Sequence, residues 1–253
     1  MTERTQGQNQ TAVDDEVDQL VVAAGADGTV AGGPQAKRDP LDVQEQEIKD
    51  AVLRMGSLVE EAIRLASQAL TTHDADLALD IIKADARIND AQREVSRLIS
   101  VTIATQQPVA RDLRYLLTLD HVTYELERIG DHASSVAKQV IKLAPEPPLA
   151  DYVRLPEMAE RSAVVVHGVL RALVDADAVS AREVAVLDDE IDRLYHATFE
   201  ECVELMRADP ANVERGTRII IASHYLERIG DRATNIAEDI VYLVTGDVED
   251  LNP

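Results

Sequence analysis

The hexapeptide Leu-Glu-Arg-Ile-Gly-Asp occupies residues 126–131 and occurs again, residue for residue, at 226–231 in a chain of 253 residues. A second correspondence lies upstream, where Asp-Ala-Arg-Ile-Asn at 85–89 matches Asp-Asp-Glu-Ile-Asp at 188–192. Two unrelated short matches in the same order along a chain are hard to obtain by chance. We therefore interpret the sequence as a tandem duplication of one structural unit.

The segments around these repeats carry apolar residues at helical spacing, and this periodicity is almost continuous from residue 41 onward. Short polar breaks divide it, and most of them place an Asp or a Pro where a helix would begin. The break Pro-Glu-Pro-Pro at 145–148 separates the two copies of the repeat. The pattern predicts six long helices, at 42–71, 75–104, 109–143, 153–175, 179–207 and 211–245.

The predicted fold class is all-α, with two tandem, pseudo-symmetric three-helix bundles at 41–145 and 150–246. Residues 1–40 are rich in Gln, Asp, Gly and Thr, and this composition predicts a disordered N-terminal tail. Aromatic residues make up only 3% of the chain, with a single Phe and no Trp. The bundle cores must therefore consist mainly of Leu, Ile, Val and Ala.

Composition also excludes several classes of protein. The formal net charge of −22 argues against binding of nucleic acid, because contacts to its phosphates need clustered Lys and Arg. Cys202 is the single cysteine, so a disulfide framework and a cysteine-based zinc site are excluded. The N-terminus lacks the pattern of a signal peptide, and no apolar run approaches the roughly 18 residues of a spanning helix. We expect a cytoplasmic protein without membrane insertion.

Helix geometry places the polar residues of the repeats on one flank of each helix. With about 100° per residue, Glu127 and Asp131 lie about 100° and 140° from the centre of their apolar stripe. Asp85 and Asn89 lie about 60° and 100° from the stripe of the preceding helix. A short turn makes the two helices antiparallel neighbours, so these flanks face the same side of the bundle. Each half should gather four oxygen-bearing side chains into one patch: Asp85, Asn89, Glu127 and Asp131 in the first, and Asp188, Asp192, Glu227 and Asp231 in the second.

Carboxylates gathered in this way raise one another's pKa unless a cation neutralises them. Their oxygens suit hard or borderline metal ions, and we consider Fe, Mn, Mg, Ca and Zn. The competing interpretation is a solvated acidic face whose carboxylates pair with nearby Arg and Lys. Repetition in both halves and matching depth from the turn favour one metal centre per half. The first centre should be the weaker, because Asn89 stands where the second half has Asp192.

Two further features of the repeats invite an explanation. Gly130 and Gly230 lie inside long helices, where a glycine costs about 1 kcal/mol relative to Ala. We predict a packing role for both, with close approach of a neighbouring backbone. His224 lies on the flank of Glu227 and offers a nitrogen, although an ordinary surface histidine is the simpler interpretation.

These residues resemble the PhoU family, the accessory proteins of the phosphate-specific transport system. LERIGDHASSVA (126–137) and LERIGDRATNIAEDIVYLVTG (226–246) are similar to its two signature segments. The stretch QPVARDLR (107–114) is similar to its turn between the second and third helices, and LRMGSLV (53–59) to its opening helix. The resemblance runs from about residue 41 to 246.

The resemblance implies two three-helix bundles whose acidic motifs bind metal clusters. The implied ligands are the eight residues named above, and Asn89 departs from the strictly acidic pattern. The resemblance also implies negative control of phosphate uptake and of the phosphate-starvation response. Its expected partners are the ATPase subunit of the phosphate ABC transporter and a phosphate-sensing histidine kinase, and we expect a homodimer.

We expect a regulatory adaptor and not an enzyme. Di-metal enzymes of the ferritin type place Glu-x-x-His on inward faces, whereas Glu127 and Glu227 are each followed three residues later by glycine. A carboxylate-bridged di-metal enzyme is therefore the less favoured alternative. A purely structural helical adaptor without metal is the other, and elemental analysis of the purified protein would distinguish it.

Overall fold

The helices of the computed structural model begin and end close to the breaks in the apolar pattern. The structure describes residues 39–149 and 154–252. Within these ranges the chain forms helices and turns and no strand, which confirms the predicted all-α fold. The helices are α1 (Pro40–Thr72), α2 (Ala75–Gln106), α3 (Ala110–Leu143), α4 (Arg154–Asp175), α5 (Ala178–Ala185), α6 (Asp188–Ala208) and α7 (Val213–Thr245).

Aspartates begin several of these helices, as their positions at the breaks predicted. The side chains of Asp39, Asp74 and Asp177 accept hydrogen bonds from backbone N–H groups in the first turns of α1, α2 and α5. Each bond satisfies a donor that has no partner within its helix. The predicted tail, residues 1–40, falls almost entirely outside the described residues, and Pro40 itself belongs to α1.

The fifth predicted helix, at 179–207, is divided in the structure. α5 ends at Ala185 and α6 begins at Asp188, with Val186 and Leu187 in a turn between them. Neither Gly nor Pro marks this turn, so the periodicity carried no sign of it. The first turn of α6 holds three acidic residues, Asp188, Asp189 and Glu190. Negative charge is favourable there, because the N-terminus of a helix carries a partial positive charge.

One continuous apolar core joins the two halves. α1, α2 and α3 pack together in the first half, while α4, α5, α6 and α7 do so in the second. α3 also packs along α7, and α1 packs along α4. The largest fully buried side chains of the described residues are Leu, Ile and Met, as the scarcity of aromatic residues predicted.

α3 and α7 run antiparallel across the junction between the halves. His121 Nδ1 lies 2.6 Å from Asp239 Oδ2 near one end of the contact. Further along, the ring of His132 stacks on that of Tyr225, with centroids 5.9 Å apart. The two helices therefore pass each other at the level of the two Leu-Glu-Arg-Ile-Gly-Asp segments. None of the helices in the described ranges has the length and apolar character to cross a membrane.

Candidate metal centre

Three carboxylates converge between α6 and α7 in the second half. Asp188, Asp192 and Asp231 each offer an oxygen, and these oxygens all lie within 4.8 Å of one another. No other set of three His, Cys, Asp or Glu side chains in residues 39–149 and 154–252 meets this spacing. Asp188 and Asp192 are one helical turn apart on α6, and Asp231 approaches them from α7. This is the arrangement that the sequence predicted for the second half.

Asp188 is the innermost of the three, with only 3% of its surface exposed. Its Oδ2 accepts a hydrogen bond of 3.3 Å from the hydroxyl of Thr234. Its Oδ1 is buried and has no hydrogen-bond partner among the described residues. A buried acceptor without a donor is unfavourable by about 1–3 kcal/mol, and more when it is charged. A cation bound by the three carboxylates would satisfy this oxygen.

Glu227 completes the predicted set of four. Its Oε2 is also buried without a hydrogen bond. His224 Nδ1 lies 3.3 Å from this oxygen, but the two groups are not aligned as donor and acceptor. The ring nitrogen of His224, which the sequence placed on the flank of Glu227, therefore lies beside the acidic centre of the second half.

The electrostatics of the second centre favour neutralisation by a cation or a proton. Burial raises the pKa of Asp188 to about 7, with further contributions from Asp192, Asp231 and Glu227. Burial also raises the pKa of Glu227 to about 7, followed by the charges of Asp231 and Asp192. The pKa of Asp192 is raised by the same causes, burial first and then Asp231. A bound metal ion would displace the protons that Asp188 and Glu227 hold at these raised pKa values.

The first half repeats the arrangement in a looser form. Burial and then the charge of Asp131 raise the pKa of Asp85. Burial, Asp131 and more weakly Asp85 raise the pKa of Glu127. The structure therefore brings these three carboxylates together, although they do not meet the spacing found in the second half. Asn89 donates from Nδ2 to Asp85 Oδ2 at 3.3 Å, so its side chain acts there as a hydrogen-bond donor to this carboxylate.

The two glycines lie against these centres, and side chains are what approach them most closely. A Cβ on Gly230 would overlap Oδ1 of Asp188, and a Cβ on Gly130 would lie 2.8 Å from Cδ1 of Ile88. The expected approach of a neighbouring backbone is therefore wrong. The missing side chain of Gly230 leaves a notch in α7 that admits the buried carboxylate of α6.

An arginine in each repeat contacts the acidic groups. Arg228 Nη1 lies 2.7 Å from Asp231 Oδ2. Arg128 Nη1 lies 3.6 Å from Asp131 Oδ2, and its Nε lies 3.6 Å from Glu127 Oε2. Helix periodicity points both arginines away from the apolar stripe, which left two interpretations open: an anchor for the acidic flank or a partner, and an ordinary solvated arginine. The contacts to Glu127, Asp131 and Asp231 favour an anchor for the acidic flank.

A cluster of basic side chains lies where α3 and α7 cross. Burial lowers the pKa of His132 to about 4, with further lowering by Arg232, Arg228, His224 and Arg128. Positive groups from both halves therefore act on this ring.

Fold and site together define a duplicated, all-helical protein with an acidic, oxygen-lined centre on each half. The PhoU domain model matches the chain twice, at residues 52–140 and 155–240. The chain belongs to the PhoU family.

Relatives with similar sequences carry a common name. The chain is 38% identical over 208 residues to the phosphate-specific transport system accessory protein PhoU homolog of Clostridium acetobutylicum, spanning 82% of this chain and 95% of that one. It is 37% identical over 207 residues to the protein of the same name from Pseudomonas aeruginosa, spanning 81% and 86%.

Solved structures support the same assignment. The crystal structure of PhoU from Pseudomonas aeruginosa superposes with a TM-score of 0.79 at 36% identity, covering 82% of this chain and all of that one. The phosphate transport system regulatory protein PhoU from Streptococcus pneumoniae superposes with a TM-score of 0.77 at 31% identity, covering 83% and 99%. These likenesses confirm the predicted all-α architecture of two three-helix bundles, in which the fifth predicted helix is divided into α5 and α6.

Proposed function

We propose that this protein is a regulatory adaptor of phosphate uptake whose acidic centres bind metal ions. Its relatives are named as accessory or regulatory proteins of the phosphate transport system, which supports the adaptor role. One structural observation carries the metal part: the oxygens of Asp188, Asp192 and Asp231 lie within 4.8 Å of one another. The Oδ1 of Asp188 supports this proposal, because it is buried without a hydrogen-bond partner and a bound cation would satisfy it.

The residues present fit a hard or borderline metal ion. Asp188, Asp192, Glu227 and Asp231 would hold it in the second half, and Asp85, Glu127 and Asp131 in the first, with Asn89 through its amide oxygen. All of these donors are oxygens, which suits Mn, Fe or Mg better than a softer ion. The metal would supply charge compensation, which permits packing of carboxylates that otherwise repel one another.

The regulatory role that we propose is negative control. In phosphate-replete cells the protein would restrain the transporter through its ATPase subunit and hold the sensor histidine kinase in its inactive state. A cytoplasmic location and a homodimer belong to the same proposal. The names of the relatives favour an adaptor over an enzyme, since they describe accessory and regulatory proteins.

Metal binding is tested by elemental analysis of protein purified without chelator, followed by titration of Mn²⁺ or Fe²⁺ into stripped protein. We expect bound metal in the wild type and its loss from the second half in the double variant Asp188→Asn/Asp231→Asn. Asp80→Asn is the matched control, because Asp80 is exposed and pairs with Lys83. The metal-free adaptor would be supported instead if the purified protein contained no metal and its melting temperature did not change on addition of Mn²⁺ or Fe²⁺.

The regulatory part is tested in cells that lack the gene. Deletion should raise phosphate uptake and activate a phosphate-starvation reporter at high phosphate, and the wild-type gene should reverse both effects. A pull-down from phosphate-replete cells should recover the transporter ATPase or a sensor kinase. Unchanged uptake and reporter activity after deletion would contradict negative control.

A further inference from the structure

Arg128 and Arg228 use their guanidinium groups on the same carboxylates that would bind metal. Arg228 donates from Nη1 to Asp231 Oδ2 at 2.7 Å. Arg128 lies 3.6 Å from oxygens of both Glu127 and Asp131, and its Nη2 donates a hydrogen bond of 2.9 Å to the hydroxyl of Tyr124. Neither arginine pairs with any other carboxylate in the described ranges. Each centre therefore holds an internal cation, which compensates part of its negative charge.

A metal ion would remove the reason for this pairing. A divalent ion that binds the carboxylates of one centre neutralises charges that now attract the arginine, and it repels the guanidinium directly. The repulsion acts over a few ångströms at a partly buried position, where solvent screens less than in bulk water. Arginine keeps its charge at any physiological pH, so each guanidinium is left to water or to another anion. Arg128 also keeps its bond to Tyr124, a neutral group that does not compensate its charge.

The fold places the two arginines on a common surface. They occupy equivalent positions in the repeats on α3 and α7, and these antiparallel helices cross at the level of the repeats. The ring of His132 stacks on that of Tyr225, and these two residues lie four residues after Arg128 and three before Arg228, which places both arginines at this crossing. Their side chains are 41% and 36% exposed, so an anion in solution can reach both.

We propose that metal binding at the acidic centres frees Arg128 and Arg228 to bind a tetrahedral oxyanion at the crossing of α3 and α7. The inference rests on the metal sites of the proposed function. Guanidinium groups bind phosphate through parallel N–H bonds, and two of them supply the geometry for one phosphoryl group. The anion is free phosphate or a phosphoryl group carried by a partner. In the metal-free protein the surrounding carboxylates repel it.

This arrangement couples the two ligands. Because the anion is attracted to arginines that the metal releases, metal raises the affinity for phosphate, and phosphate must raise the affinity for metal by the same factor. A face that is acidic without metal thus becomes an anion receptor with it. The protein would respond to phosphate only when its metal centres are filled.

The test measures phosphate binding to the purified full chain by equilibrium dialysis, with and without Mn²⁺, at constant ionic strength. Mn²⁺ should tighten phosphate binding about tenfold, within the usual range of coupling between two sites. Electron paramagnetic resonance measures the free Mn²⁺ and so gives the bound Mn²⁺ by difference. Phosphate should increase the affinity for Mn²⁺ by the same factor. In a crystal of the Mn²⁺-loaded protein, Arg228 Nη1 should have moved beyond hydrogen-bonding distance of Asp231 Oδ2.

The decisive variant is Arg128→Gln/Arg228→Gln. It should lose the Mn²⁺-dependent gain in phosphate affinity and still bind Mn²⁺, at least as tightly as the wild type without phosphate. Arg64→Gln/Arg97→Gln is the matched control, since these exposed arginines pair at the same i,i+3 spacing with Glu61 and Glu94. The control should keep the full gain. Binding of phenyl phosphate, a phosphate monoester, is measured in parallel to distinguish the two sources of the anion. If it binds more weakly than free phosphate, the ligand is the free ion; if it binds more tightly, the ligand is a phosphoryl group on a partner.

Two results would overturn the inference while leaving the metal sites intact. One is phosphate affinity that is the same with and without bound Mn²⁺. The other is a gain that survives in Arg128→Gln/Arg228→Gln, which would assign the phosphate to the metal alone. Failure of the wild type to bind Mn²⁺ at all would instead remove the proposed function, and this inference with it.

Discussion

The carboxylate of Asp188 occupies the space that a side chain on Gly230 would need. Asp188 is the first residue of α6, and Gly230 lies in the middle of α7, so the contact joins the two helices at the acidic centre. Thr234, one turn further along α7, holds the other carboxylate oxygen at 3.3 Å. The absence of a side chain at Gly230 therefore fixes the position of the Asp188 carboxylate.

Gly230→Ala should displace Asp188 from this notch. We expect affinity for Mn²⁺ in the second half to fall about 10- to 100-fold, as when a residue that orients a metal ligand is lost. The intrinsic gain in helix stability, about 1 kcal/mol, should keep the variant folded. Isothermal titration and thermal unfolding measure the two effects separately.

Gly130→Ala is the matched control, because its Cβ would meet the flexible end of Ile88 and not a carboxylate. It should change Mn²⁺ affinity little. Equal losses of affinity in the two variants would show that Gly230 has no special relation to the site.

The metal-free protein should lose stability as the pH rises. Asp188 and Glu227 have pKa values of about 7 in the folded protein, against 3.8 and 4.5 ordinarily. The folded state therefore binds these protons more tightly than the unfolded state. Their contribution to stability is fully present below about pH 4 and is lost as the pH rises through about 7. We expect the free energy of unfolding to fall by about 2 kcal/mol for each of the two groups between about pH 5 and about pH 7.5.

Urea denaturation of chelator-treated protein at several pH values measures this effect. Asp188→Asn should flatten the profile, because it removes one of the two groups that bind protons too tightly, whereas Asp80→Asn should leave it unchanged. Saturating Mn²⁺ should restore stability at the higher pH. A profile in Asp188→Asn as steep as that of the wild type would contradict the assignment.

Asn89→Asp should strengthen the first centre. The substitution adds the fourth carboxylate that the second half has at Asp192, and cation affinity rises with the charge of the ligands. We expect Mn²⁺ to bind the first half about tenfold more tightly. The titration is done in an Asp188→Asn/Asp231→Asn background, so that the second centre does not contribute.

The same change should destabilise the metal-free protein. It replaces the hydrogen bond of Asn89 to Asp85 with repulsion between two carboxylates, for which we expect a loss of about 1 kcal/mol. Gln68→Glu adds the same charge on the exposed face of α1 and serves as control. If Gln68→Glu raised Mn²⁺ affinity as much, net charge alone would account for the result.

The buried carboxylate of Glu125 depends on residues from the other half. Its side chain is 3% exposed, and its Oε2 lies 3.3 Å from both Arg232 Nη1 and Asn235 Nδ2. Arg232→Leu should lower the free energy of unfolding by about 3 kcal/mol, because it removes the nearer ionic partner of a buried charge. His121 remains, with its Nε2 3.8 Å from Glu125 Oε1. Chemical denaturation measures the loss.

Adding Glu125→Gln to Arg232→Leu should recover much of that loss, since the uncompensated charge is then gone. A double variant no more stable than Arg232→Leu alone would mean that packing of the arginine, and not its charge, accounts for the effect.

Much of this protein could be predicted from local patterns along the chain. The spacing of apolar residues and the Asp or Pro residues at helix N-termini predicted six helices, because helix formation is decided mainly by residues within one or two turns. The duplication placed Asp85, Glu127 and Asp131 together, and likewise Asp188, Asp192, Glu227 and Asp231, because antiparallel neighbours joined by a short turn have a fixed register. The resemblance carried by residues 126–137 and 226–246 then predicted the family correctly.

Contacts between residues distant in sequence decided the rest. The turn at Val186 and Leu187, which makes Asp188 a helix start, has no local signal. The fit of that carboxylate into the notch at Gly230 depends on how α6 lies against α7. The position of Arg128 and Arg228 at one level of the α3–α7 crossing depends on how these helices pack, since periodicity shows which face of a helix is apolar and not which helix will cover it.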